Sequence, residues 1–269
     1  MLRNQGERLT RVVVCTPQTE YFRVRNLKVH NIAEIANPEK AREQHDNLKS
    51  ILRNFGCEVI DIQELAGHPN SIFTWDTALS TPQGYIKLRM GLRTRQGEEE
   101  WMAKALDSLG EPQAGSIKEP GTAEGGDIIL AGRVAFIGQT QRTNKSGVKQ
   151  ASRLLTGMNY EIRSIILPKS YLHLGSAMSL VGPNRVLCFR GVFPDEFFEG
   201  FEKIEISCNA FASANVVCLG DNELIADSAN IAATRELERA GMVVHAVDLS
   251  EFAKGRGGPS CLILPVERK

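Results

Sequence analysis

One arrangement recurs along this 269-residue chain: a two-stranded hairpin, a helix and a further strand. Apolar runs broken by Gly, Pro and Asn turns place hairpins at 72–88, 127–137, 178–189 and 215–226. Helices are predicted over 98–109, from Asn144 to about 156, near 195–201 and over 229–240. Strands follow at 161–167, 203–206 and 242–247. The hairpins open near Asp76, Asp127, Met178, Asn215 and Cys261, at steps of 51, 51, 37 and 46 residues. An internal repeat of this kind limits the fold before any other feature does.

The two ends of the chain fit the same scheme. The last unit, 261–264, has no return strand, and the first strand, 9–16, has no hairpin partner. Pairing one with the other supplies both and closes a ring. Asn37 and Pro38 start a helix that runs through Phe55 and stops at Gly56, followed by a strand at 58–62. Residues 18–37 form a long polar stretch, of the length that binding loops and lids have. No linker, low-complexity stretch or charge block divides the chain, so a single domain over 1–269 is expected.

Composition excludes several partners. Lys plus Arg and Asp plus Glu number 32 each, so the chain has no electrostatic footprint for nucleic acid or an anionic membrane. No apolar stretch approaches the roughly 18 residues of a membrane span. The first residues lack the apolar core of a signal peptide, and a cytoplasmic location follows by default. Of the six cysteines, Cys15, Cys57, Cys188 and Cys218 sit in apolar runs and read as core thiols; Cys208 and Cys261 do not. With no Cys-x-x-Cys pair and no His cluster, neither disulfides nor a metal site is expected.

What gathers at the five openings carries the chemistry. Asp76 lies at the first and Glu124-Gly125-Gly126-Asp127 at the second. His173 precedes the third, Asn215 stands at the fourth and Cys261 at the fifth. Singly, each has a plain alternative: a satisfied turn carboxylate, an ordinary glycine turn, a core histidine, a small buried thiol. Together they suit covalent chemistry on a cation. Carboxylates at Asp76 and Glu124 would grip a guanidinium, whose fork of N–H donors matches them. A thiolate at Cys261 could attack its electron-poor carbon. His173 would protonate the departing nitrogen and then activate water.

Phe73-Thr74-Trp75-Asp76, Glu124-Gly-Gly-Asp127, Arg142-Thr143-Asn144, Leu172-His173-Leu174 and Gly257-Gly-Pro-Ser-Cys261 resemble the motif set of the guanidino-group modifying enzymes. The resemblance is nearest to dimethylarginine dimethylaminohydrolase, in length, motif spacing and lack of an inserted helical domain. It implies an α/β fold, the five-bladed β/α-propeller called the pentein fold. It implies Cys261 as nucleophile, His173 as general acid/base and Glu124 as their carboxylate partner. Asp76, with Asp127 and Trp75, falls among the substrate-binding positions, and Arg95 and Arg142 fall where the family binds the substrate's α-carboxylate. Residues 18–37 match the family's lid loop. Two positions depart from the pattern. Trp75 stands where dimethylarginine hydrolases usually carry Glu, and Gly175 where arginine deiminases carry a second guanidinium-binding Asp.

The expectation is therefore a hydrolase acting on arginine or an N-substituted arginine, with no metal or organic cofactor. Its partner would be a small guanidine, not nucleic acid or membrane; a homodimer is admitted but not specified. An amidinotransferase, which passes the carbon to an amine, would use the same residues. A non-enzymatic binding protein on the same propeller is the third reading.

Overall fold

In the computed structural model, residues 2–207 and 213–269 are described; Cys208 lies outside them. The strands are β1 (Leu9–Val14), β2 (Glu58–Asp61), β3 (Ala78–Thr81), β4 (Gly84–Lys87) and β5 (Gln113–Ser116). They continue as β6 (Ile128–Ala131), β7 (Val134–Gln139), β8 (Glu161–Ile166), β9 (Met178–Gly182) and β10 (Arg185–Phe189). The last five are β11 (Glu202–Ile206), β12 (Val216–Gly220), β13 (Glu223–Asp227), β14 (Val243–Val247) and β15 (Ile263–Arg268).

These strands form five three-stranded sheets of one design. In the sheets β3-β4-β5, β6-β7-β8, β9-β10-β11 and β12-β13-β14, the first pair is antiparallel and the second parallel. The fifth sheet joins the chain ends: β15 pairs antiparallel with β1, and β1 parallel with β2. The expected five-bladed ring is thus the observed architecture. A small axial cavity is lined by residues of β6, β9, β12 and β15 together with Trp75. Strands beside the axis are covered on both faces. Ile128, Ile129 and Leu130 of β6 are each no more than 1% exposed. That double burial explains why these segments read as continuous apolar runs instead of alternating ones.

Helices fill the crossovers. Helix α1 (Pro38–Asn54) begins where the Asn37 side chain accepts the Lys40 N–H, and ends before Gly56, whose φ is +90°. It buries Ala41, Leu48 and Leu52 in a cluster with Val12, Val14 and Phe252. Helices α2 (Glu98–Ser108) and α3 (Lys145–Gly157) cover their own blades, and Asn144 caps α3 through the Gly147 N–H. Helices α4 (Ile231–Arg239) and α5 (Ser250–Ala253) follow.

Three expectations change. The 195–201 helix is only a single 3-10 turn, Asp195–Phe198, packed by Phe136 and Phe193. The openings at Asp76, Asp127 and Cys261 are not strand ends. Thr74–Thr77, Gly125–Asp127, Leu174–Ser176 and Ser260–Leu262 are short 3-10 turns placed just before the axial strands. The closing strand begins after Cys261, at Ile263, and runs to Arg268.

Residues 18–37 contain two 3-10 turns and are tied at several points. The Glu64 carboxylate accepts the N–H groups of Thr19, Glu20 and Tyr21. The Ala33 N–H donates to Lys254 O at 2.7 Å, and Thr94 Oγ1 donates to Val29 O at 3.0 Å. The stretch therefore bridges the loop before Cys261 and the loop that carries Arg95.

Candidate active site

Four of the short turns, which come from different blades, deliver the polar groups. Glu124 is fully buried, and its carboxylate is the hub. It accepts the Gly91 N–H at 2.9 Å, both its oxygens meet Arg142 at 3.2 and 3.3 Å, and His173 Nε2 lies 2.7 Å from Oε2. Asp76, 3% exposed, accepts the Gly126 N–H at 3.1 Å through Oδ1 and Arg95 at 2.6 Å through Oδ2. The same carboxylate lies 3.8 Å from His173 Nε2. Asp127 accepts the Leu174 N–H at 2.9 Å and the Thr140 hydroxyl at 2.7 Å, so it pins the loop that carries His173.

Charge follows from this packing. Burial alone would lower the His173 imidazole, but Asp76, Asp127 and Glu124 outweigh it and hold the ring up at about 9. Glu124 is held well below the usual carboxylate range, because Arg142, His173 and Arg95 overcome its burial. Burial lifts Asp127 to about 6 against the pull of His173 and two threonine hydroxyls. Burial, then the negative charge of Asp76, push the Cys261 thiol up to about 12. At neutral pH Cys261 rests as a thiol and His173 as an imidazolium.

Cys261 sits in the turn Ser260–Leu262 and keeps partial exposure. The Gly-rich loop before it is needed for close approach. A Cβ on Gly257 would lie 2.1 Å from the Phe73 ring, and one on Gly258 would lie 2.6 Å from Asn215 Oδ1. Asn215 is 2% exposed and reaches Ser260, Gly175 and Cys261 at once. Its position at the fourth opening was legible, but its contacts were not. Ser260 carried no reading of its own, although it stands in the same Gly-Pro-Ser-Cys run.

Two expected ligands are arranged differently from their expectation. Arg95 was expected to meet a substrate carboxylate, but it is 3% exposed with every guanidinium nitrogen engaged. Nε donates to Glu98 at 2.8 Å, one terminal nitrogen to Asp76, and the other to Phe73 O at 3.0 Å. In this arrangement it braces Asp76. Trp75 lies beneath the site: its ring fills the space in front of Gly175 and lines the axial cavity beside Ser179 and Ser260. Arg142 remains at Glu124, 6% exposed.

Asp76, Glu124 and His173 each offer a donor atom, all within 4.8 Å of one another. Such a trio can hold a cation. The guanidinium groups of Arg95 and Arg142 already neutralise its carboxylates, which weakens the attraction for a metal ion. Among the described residues no helix is long and apolar enough to cross a membrane.

Comparison with known proteins places this geometry. The family described as N,N dimethylarginine dimethylhydrolase, eukaryotic, matches residues 16–267. The N(G),N(G)-dimethylarginine dimethylaminohydrolase of Pseudomonas aeruginosa is 30% identical over 226 residues, covering 84% of this chain and 88% of that protein. The protein of the same name from Streptomyces coelicolor is 26% identical over 222 residues, covering 82% and 84%. A solved structure of the Pseudomonas aeruginosa protein, a Cys-to-Ser variant complexed with citrulline, superposes with a TM-score of 0.84 at 26% identity. It covers 96% of this chain and 99% of that one. With a match that runs from just after β1 through nearly all of β15, the chain belongs to the dimethylarginine dimethylaminohydrolase family.

Proposed function

We propose that this chain hydrolyses the guanidinium carbon of arginine or an N-substituted arginine. The products are citrulline and ammonia or an alkylamine. The names of the relatives and the citrulline complex of the Pseudomonas aeruginosa protein support the reaction class. One observation carries it to this chain: His173 bonded to Glu124 at 2.7 Å, with Asp76 alongside. It is a charged proton donor set between carboxylates whose oxygens can accept the N–H groups of a guanidinium.

The substrate guanidinium enters against Asp76 and Glu124. Cys261 sulfur, as thiolate, bonds to the central carbon, and His173 gives its proton to the departing nitrogen as that C–N bond breaks. A thiouronium remains on Cys261. His173, now neutral, takes a proton from water, whose oxygen attacks the same carbon. The C–S bond then breaks with its electron pair going to sulfur, the new hydroxyl's proton restores the thiol, and the ureido product leaves. A thiol near 12 needs help to ionise. A cation about 4 Å away supplies roughly 4 kcal/mol at an effective dielectric of about 20. That equals about three pKa units and brings the thiol level with His173. Substrate binding thus draws the thiol toward ionisation, and its proton passes to solvent because His173 is already charged.

The pairing of β15 with β1 across the ends of the chain supports one catalytic domain over 1–269. The neutral charge balance favours a small guanidine over nucleic acid or an anionic membrane as partner.

The test is incubation with dimethylarginine, monomethylarginine, arginine and agmatine, followed by assay for ureido product and released amine. Cys261→Ser is expected to abolish turnover, and His173→Ala to lower kcat by about 10²–10⁴-fold. Full turnover in either variant overturns the proposal. Transfer to an added amine in place of release to water would move the chain to the amidinotransferases.

A further inference from the structure

We propose that Asn215 and Ser260 form a donor relay that positions the Cys261 sulfur and stabilises its anionic form. This rests on the reading of Cys261 as nucleophile and adds a device separate from the His173–Glu124 pair.

The amide of Asn215 cannot be turned over. Its Oδ1 accepts the Ser260 backbone N–H at 3.0 Å, and its Nδ2 donates to Gly175 O at 3.1 Å. A flip would set donor against donor and acceptor against acceptor. The same Nδ2 lies 2.6 Å from Ser260 Oγ and 3.9 Å from Cys261 Sγ. Ser260 Oγ therefore accepts from Asn215, which leaves its own proton to give. That proton is free to turn to the adjacent Cys261 sulfur, whose pKa the Ser260 hydroxyl lowers, as does the Gly258 backbone. The result is a set of donors converging on the sulfur: the amide N–H bonds the hydroxyl and also reaches the sulfur, and the hydroxyl proton completes the relay. Each donor polarises the next, and the last bond is charge-assisted once the sulfur is ionised.

The relay has a clear opponent. The charged groups acting on the sulfur are Asp76, which raises its pKa, and Arg95, which lowers it. Both stay in place when Ser260 or Asn215 is changed. Asn215 also joins three blades, because Gly175 precedes β9, Asn215 precedes β12, and Ser260 precedes β15. It sets where the sulfur stands relative to the His173 loop. Both are positioning residues, acting on the substrate only through Cys261.

The experiment measures alkylation of Cys261 by iodoacetamide in the full chain from pH 7 to 9, with Cys261→Ser as the blank. Alkylation reads the thiolate fraction and needs no turnover. Loss of one hydrogen bond to a charged group corresponds to about tenfold or more. Ser260→Ala and Asn215→Ala are expected to slow alkylation by about tenfold across this range. Ser260→Thr, which keeps the hydroxyl, retains the original rate. With the guanidine substrate, kcat falls in step and KM stays within about twofold. Melting temperatures run alongside. If Asn215→Ala fails to fold, Ser260→Ala decides, since it removes only the hydroxyl. A folded Ser260→Ala with unchanged alkylation overturns the relay and leaves the proposed hydrolysis standing. A chain that turns over no guanidine but shows the alkylation loss overturns the hydrolysis and leaves the relay.

Discussion

Three carboxyl groups act on the His173 imidazole, and stability against pH should register them. Its ordinary pKa of 6.5 is raised to about 9 in the folded chain. A group raised in this way contributes its full stability below 6.5 and loses it as pH rises through 9. At about 1.4 kcal/mol per unit, the loss is on the order of 3 kcal/mol. Glu98, which burial pushes up to about 8 against the pull of Arg95, loses stability over an overlapping range. The measurement is therefore a comparison. Between pH 6.5 and 9, the melting temperature of the original chain should fall more steeply than that of His173→Gln. Parallel curves would mean that the imidazolium is not held by these carboxylates.

The short turns before β3, β6, β9 and β15 do for the site what loops do elsewhere, but with little slack. A Cβ on Gly175 would stand 2.8 Å from Trp75 Cη2 and 2.9 Å from Cζ3. Gly175→Ala should therefore displace the indole or the His173 loop and reduce activity, by about tenfold or more for a misplacement of this kind. Adding Trp75→Leu should restore part of the loss, and a double-mutant cycle on kcat/KM and melting temperature reads the coupling. Independent effects would refute the contact. The same turns mark how far the chain could be read by eye. Cys261, His173 and Glu124 were legible because each stands in a Gly-rich or turn-forming run at the head of a repeat. The partners of Arg95 were not. Its bonds to Asp76 and Phe73 O join segments about 20 residues apart, which only the folded chain brings together. Strand β5, Gln113–Ser116, was also invisible, because it lacks any run of apolar residues and is held by pairing with β4.

At the scale of the whole molecule, ring closure depends on β15. Leu264 pairs with Val13 and is 1% exposed, in a cluster with Ala78, Tyr85, Met102 and Leu106. It therefore packs the closing blade against its neighbour. Leu264→Ala should cost about 2–5 kcal/mol, read as a lowered urea midpoint with an unchanged slope. A cost below about 1 kcal/mol would mean that the seam is held elsewhere. The ring was legible from the missing hairpin partners at the two ends, since two unpaired strands leave a single way to satisfy both.

Cys261 stands two residues ahead of that last strand. A molecule in which β15 has not docked on β1 carries the sulfur away from the Asn215 amide. Such a molecule has no competent half-state to release. The chemistry proposed for Cys261 waits on the closing of this blade.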